Sequence, residues 1–113
     1  MQAVVSEIGK SGSGIAISNP VALSFDNSLA VGLPNIPANA LTALIVLEAD
    51  ATTATPQSAA KFTEASGQTP TSVLGTPIGD LGFYTIEGKE NIDNFKIISV
   101  EAKTHKLQIT YFS

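Results

Sequence analysis

The chain has 113 residues, enough for one hydrophobic core and too few for two ordinary domains. It is 43% hydrophobic and only 14% charged, against about 25% charged in an average soluble domain, and its mean hydropathy is positive. A net charge of −4 with no Arg argues against nucleic-acid and anionic-membrane partners, and the absence of Cys excludes disulfides and thiolate zinc sites.

Residues 1–10 carry Glu7 where a signal peptide needs an apolar run, so the chain is expected to stay in the cytoplasm or to leave by another route. Residues 3–8 form a first strand candidate. The Ser11-Gly12-Ser13-Gly14 piece reads either as a linker behind an N-terminal arm (residues 1–13) or as a simple hairpin loop, with residues 14–17 a short strand after it. Val21, Leu23 and Phe25 then alternate with Ala22 and Ser24, the period of a strand. After Asp26-Asn27, Leu29 and Val31 alternate again, which predicts a hairpin.

From Ser11 to Leu47 the only charged residue is Asp26. Residues 41–47 are the longest strongly apolar run, far short of the about 20 residues that span a bilayer. Leu44-Ile45-Val46-Leu47 lacks alternation, so both faces of that strand are apolar. One face belongs in the core. The other is either covered within a sandwich or meets another subunit. Residues 49–60 read as a polar loop. Residues 61–64 are a short strand, and residues 65–82, with four Gly and two Pro, are irregular or hold bent edge strands. Residues 83–87 form another strand closed by Gly88, and residues 90–94 one helical turn. Residues 96–102 make the next strand, Lys103-Thr104-His105 a turn, and Leu107, Ile109 and Tyr111 alternate with Lys106, Gln108 and Thr110 in the last strand. Gly and Pro recur about every ten residues, which favours an all-β, single-domain antiparallel sandwich, with a jelly roll or small barrel as alternative.

Residues that could carry chemistry are few. The single histidine, His105, sits between Thr104 and Lys106 and is expected on the surface, which leaves Ser and Thr without a general base. Glu48 and Asp50 could meet a Ca²⁺ ion, and Glu87, Glu90 and Asp93 could form acid pairs, but their spacing is that of strand ends and loops. Gly12 and Gly14 lack the third glycine and the helix that phosphate binding needs. The expectation is therefore a non-enzymatic protein without cofactor or metal.

One longer pattern runs through the last two-thirds of the chain. Ile36-Pro37-Ala38-Asn39-Ala40 leads into an apolar run ending in Glu48, followed by Lys61-Phe62-Thr63. Gly67-Gln68-Thr69-Pro70-Thr71, Gly75-Thr76-Pro77-Ile78, Ile92-Asp93-Asn94-Phe95, Ile97-Ile98 and the closing residues 107–112 come next. This order, from Leu33 onward, resembles a β-domain that recurs in small structural proteins of tailed bacteriophages. The stretch 49–61 departs from it, and the residues before Leu33 are not covered. The resemblance implies a virion component, such as a capsid-decoration or head-fibre protein, made in the host cytoplasm, with other virion proteins as partners. A tail or baseplate module is also within it, and a receptor- or glycan-binding attachment module working through the 49–60 and 65–82 loops is the alternative. Self-association, a trimer first, is expected through Leu29, Val31, Leu33, Ile36, Leu44 and Val46.

Overall fold

The structure is a computed structural model that describes residues 15–113. The strand candidate at 3–8 and the Ser11–Gly14 piece lie outside the described residues.

Among the described residues seven strands form two antiparallel sheets. The longest, β7 (His105–Phe112), shows why. Leu107, Ile109 and Tyr111 are fully buried, while Lys106, Gln108 and Thr110 point the other way. One side of β7 takes β1 (Val21–Phe25), with Leu23 opposite Leu107. The other takes β2 (Thr42–Glu48), with Ile45 opposite Ile109 and Leu47 opposite Leu107. The edge strand β5 (Phe83–Glu87) pairs with β2 and completes the order β1-β7-β2-β5. The smaller sheet runs β4-β3-β6, built from β3 (Ala60–Thr63), β4 (Thr76–Ile78) and β6 (Lys96–Ser99).

The inward residues of the two sheets form one core that includes Phe25, Ile45, Phe62, Ile86, Ile97 and Ile109. Phe62 stacks on Phe95 at 5.4 Å between ring centroids and meets Tyr84 at 4.8 Å, so aromatic contacts join the sheets directly. The short helix α1 (Lys89–Asn94) follows Gly88 and buries Ile92. This is the expected all-β sandwich, and residues 90–94 are helical as the sequence suggests.

The connection after β1 differs from expectation. A hairpin does not form, because β1 is already paired with β7 and the Asp26 carboxylate accepts Ser28 N–H (2.9 Å) and Ser28 O–H (2.6 Å). The chain then crosses to the other sheet, where Val31 and Ile97 exchange two backbone hydrogen bonds of 3.0 and 2.9 Å. Leu29 is 69% exposed whereas Val31 packs on the core, so the two do not share a strand face. Of residues 14–17, Ala16 bridges Phe112 and Ile17 N–H donates to Tyr111 O. β6 stops at Ser99, three residues early. Ser99 Oγ donates to Glu101 O, and the chain turns so that Glu101 faces the 49–58 loop.

The Gly/Pro-rich stretch 65–82 contains the edge strand β4, with Pro77 in its middle, a position where the lost N–H costs little. Gly79 fits because its backbone lies against that of residue 57. A Cβ there would sit 2.5 Å from Gln57 O.

The loop 33–40 is held from the end of β7. The fully buried Tyr111 donates its hydroxyl to Pro34 O at 2.6 Å, and burial pushes its phenol up to about 12. Tyr111→Phe leaves that carbonyl without its partner and is expected to cost about 1–2 kcal/mol by urea denaturation.

Candidate functional site: the outer face of the four-stranded sheet

β2 is apolar on both sides, and the structure assigns each side. Ala43, Ile45 and Leu47 are fully buried in the core. Thr42, Leu44 and Val46 project from the opposite face. The register places Leu44 between Thr85 and Thr110, Val46 between Phe83 and Gln108, and Thr42 between Glu87 and Phe112. The centre of this face is uncharged. Charges appear at its ends, with Glu48 opposite Lys106 at one end and Glu87 at the other. Thr42 Oγ1 donates to Glu87 Oε1 (3.3 Å) and Gln108 Nε2 to Glu48 Oε1 (3.2 Å), so two of the bordering carboxylates are turned toward the sheet.

Leu44 and Phe112 are 5% and 6% exposed although neither belongs to the core cluster, whereas Val46 is half-buried and Phe83 is 54% exposed. The accessible apolar surface therefore lies toward the β2–β5 side of the face. A neutral, partly apolar surface of this kind suits another protein surface better than a small molecule.

The six residues expected at a contact do not come together. Leu44 and Val46 are on this face. Leu33 is a member of the interior core, and Val31 and Ile36 pack against that core. The reason is the crossing after Ser28, which carries 31–36 over the interior instead of along a sheet face. Leu29 sits on a shallow depression with Ser24, Val31 and Thr104. Phe83, Thr85, Gln108 and Thr110 are the face residues that the reading of single segments missed. The alternation of β5 and β7 carries their signal, but it becomes a face only once β2 is known to lie between those strands.

His105 is also placed differently from expectation. It is the first residue of β7 and only 1% exposed. Its Nδ1 accepts the Asp50 N–H at 2.9 Å, and its ring meets Phe25 edge-on at 5.8 Å. Burial holds its pKa below the ordinary 6.5. The Ala59 carbonyl and the carboxylates of Asp50, Glu101 and Asp80 pull the other way without overcoming it. Nε2 is buried and makes no hydrogen bond of normal geometry.

The carboxylates considered for cation binding are engaged locally. Asp50 accepts Thr52 O–H and N–H, which hold its pKa below the usual range, and Glu48 turns to Gln108. A separate open groove of about 610 Å³ lies at the end of β3 and the start of β4, beside the segment that connects them, lined by Phe62, Glu64, Gln68, Leu74 and Thr76. Tyr84 donates its hydroxyl to Glu64 beside it, and that bond to a carboxylate is the main cause that pushes the phenol up to about 12.

Compared with family models, curated proteins and solved structures, the chain matches none.

Proposed function

We propose that the chain is a non-enzymatic structural protein that self-associates through the outer face of its four-stranded sheet. Its place is in the virion of a tailed phage, as a capsid-decoration or head-fibre component packed on the shell and against other virion proteins. The observation that carries the reading is the uncharged row Phe83, Val46 and Gln108 beside Leu44 on that face. Covering one half-exposed Phe and its aliphatic neighbours contributes about 1.5–3 kcal/mol per side chain fully buried, enough in several copies to hold an oligomer. The motif order from Leu33 onward supports the virion assignment.

Light scattering on the purified chain tests it. The expected mass is a multiple of 11.7 kDa, about threefold for the favoured trimer. Val46→Asp is expected to give a smaller species with unchanged circular dichroism. A parent that is monomeric throughout the micromolar range overturns self-association through this face.

An attachment module that binds a receptor or glycan is the second reading, and the groove beside the β3–β4 connection favours it. Cell-surface glycans that shift the amide resonances of 64–69 and 74–76, with the sheet face unmoved, would place this reading first.

A further inference from the structure

The loop 49–58 is polar in sequence but tightly held. Asp80 Oδ1 accepts Ala49 N–H (2.9 Å), and Asp80 N–H donates to Pro56 O (2.7 Å). The Glu101 carboxylate accepts the N–H groups of Ala54 (3.2 Å) and Thr55 (3.0 Å) and the Thr55 hydroxyl (3.0 Å). Lys103 Nζ reaches Thr52 Oγ1 at 2.9 Å. The remaining tie is the Asp50 N–H donated to His105 Nδ1. It differs from the others in needing its acceptor uncharged.

The surroundings of the ring are defined from each side. β1 presents the Phe25 ring, and the approach to β3 presents the Ala59 carbonyl. The acidic groups facing it are Asp50 from the loop itself, Asp80 from the turn before β5 and Glu101 from the turn before β7. Lys103 lies near Asp50 and Glu101, whereas Lys106, next along β7, is of opposite parity and belongs to the outer face. A ring that accepts at Nδ1 carries its proton on Nε2.

We propose that His105 is an acid-sensitive latch on the loop 49–58: neutral, its Nδ1 anchors the Asp50 N–H, and a proton on Nδ1 sets two donors against each other and releases the turn Asp50 to Thr53 from β7, while Asp80 and Glu101 still hold the two ends of the loop. Geometry gives the direction, since an imidazolium has no acceptor to offer and is enclosed in the sandwich. The order of events follows from the neighbours. The carboxylates of Asp50 and Glu101 are held below their ordinary values of 3.8 and 4.5 by their hydrogen bonds to the loop, so the histidine tie fails first as pH falls. The sign is that of a depressed histidine. The unfolded chain takes up the proton near 6.5 and the folded chain only at lower pH, so the contribution is complete above 6.5. It is lost between 6.5 and the folded value, and constant below that.

Nuclear magnetic resonance on the whole chain tests the latch, because one histidine gives one imidazole signal. At about pH 7.5 the ring nitrogens should report the Nε2–H tautomer. Between about pH 7.5 and 5, corrected for intrinsic exchange, the Asp50, Thr52 and Thr53 amides should lose about tenfold in protection, while Ala54 and Thr55, held by Glu101, and the core amides of Ile45 and Ile109 keep theirs. His105→Asn, which offers a neutral acceptor close to Nδ1, should keep the loop protected throughout. An Nδ1–H tautomer, a loop indifferent to pH, or equal loss in His105→Asn overturns the proposal. If that variant does not fold, the parent decides alone. Loop protection and the imidazole signal must then share one midpoint, and separate midpoints overturn it.

Discussion

Ile45→Asp is expected to unfold the protein, and Val46→Asp, one residue along the same strand, is expected to leave it folded. Ile45 is fully buried between Tyr84 and Ile109, where no water or cation reaches an introduced carboxylate. Burying that charge unpaired costs several kcal/mol, and losing the isoleucine adds about 1.5–3 kcal/mol. The sum is a large part of the roughly 5–15 kcal/mol that holds a domain of this kind together. Val46 faces outward beside Phe83 and Gln108 and is half-buried, so its Asp variant keeps solvent contact and costs about 1 kcal/mol. Far-UV circular dichroism during thermal melting separates the two. Loss of fold in both variants would mean that the outer face is closed within the monomer, and the contact proposed for it would fall.

His105→Ala carries the second largest effect. The substitution leaves the Asp50 N–H without its acceptor, removes the edge contact with Phe25 and opens a void beside a buried ring. An unpaired buried donor costs about 1–3 kcal/mol, and the void adds to it, so urea denaturation at neutral pH should show a loss of about 2–3 kcal/mol. Repeated at mildly acid pH, the gap narrows, because the unfolded parent then takes up a proton that its folded form does not, and the variant has no imidazole to take one up. A change within about 0.5 kcal/mol at neutral pH would return His105 to the status of a surface turn residue.

The strands that were legible in the sequence are those in which period two coincides with a polar–apolar contrast. β7 is the clearest, and β1 and β5 follow it. β2 lacks the contrast, yet its length and its place between loops sufficed. His105 was misread because its neighbours are Lys and Thr, although it has the parity of Leu107, Ile109 and Tyr111, which is the signal that finds it. The hairpin after Phe25 failed for a physical reason. A two-residue hairpin turn wants Asn-Gly or Asp-Gly, and Asp26 instead captures Ser28 and redirects the chain. Leu33 and Ile36 looked like contact residues because nothing charged separates them from Leu29. Which way the Pro-bounded segment leans is decided by tertiary partners, chiefly Tyr111 on Pro34 and Ile97 on Val31. The outer face was half legible: its β2 members follow from parity, and its β5 and β7 members depend on pairings that no local pattern encodes.

The margins of the two sheets are unequal. Pro77 deprives the β4 edge of a donor, and Val31 occupies the far side of β6, so the small sheet is shut at both borders. Among the described residues nothing pairs along the outer side of β5 or β1. Contact through a sheet face stops when a ring of copies closes, whereas head-to-tail pairing of a β1 border with a β5 border continues wherever its rotation does not close. Long storage at high concentration therefore sets a finite, reversible particle against a slow, open-ended fibre, and among the described residues it is the large sheet that offers the borders to seed the fibre.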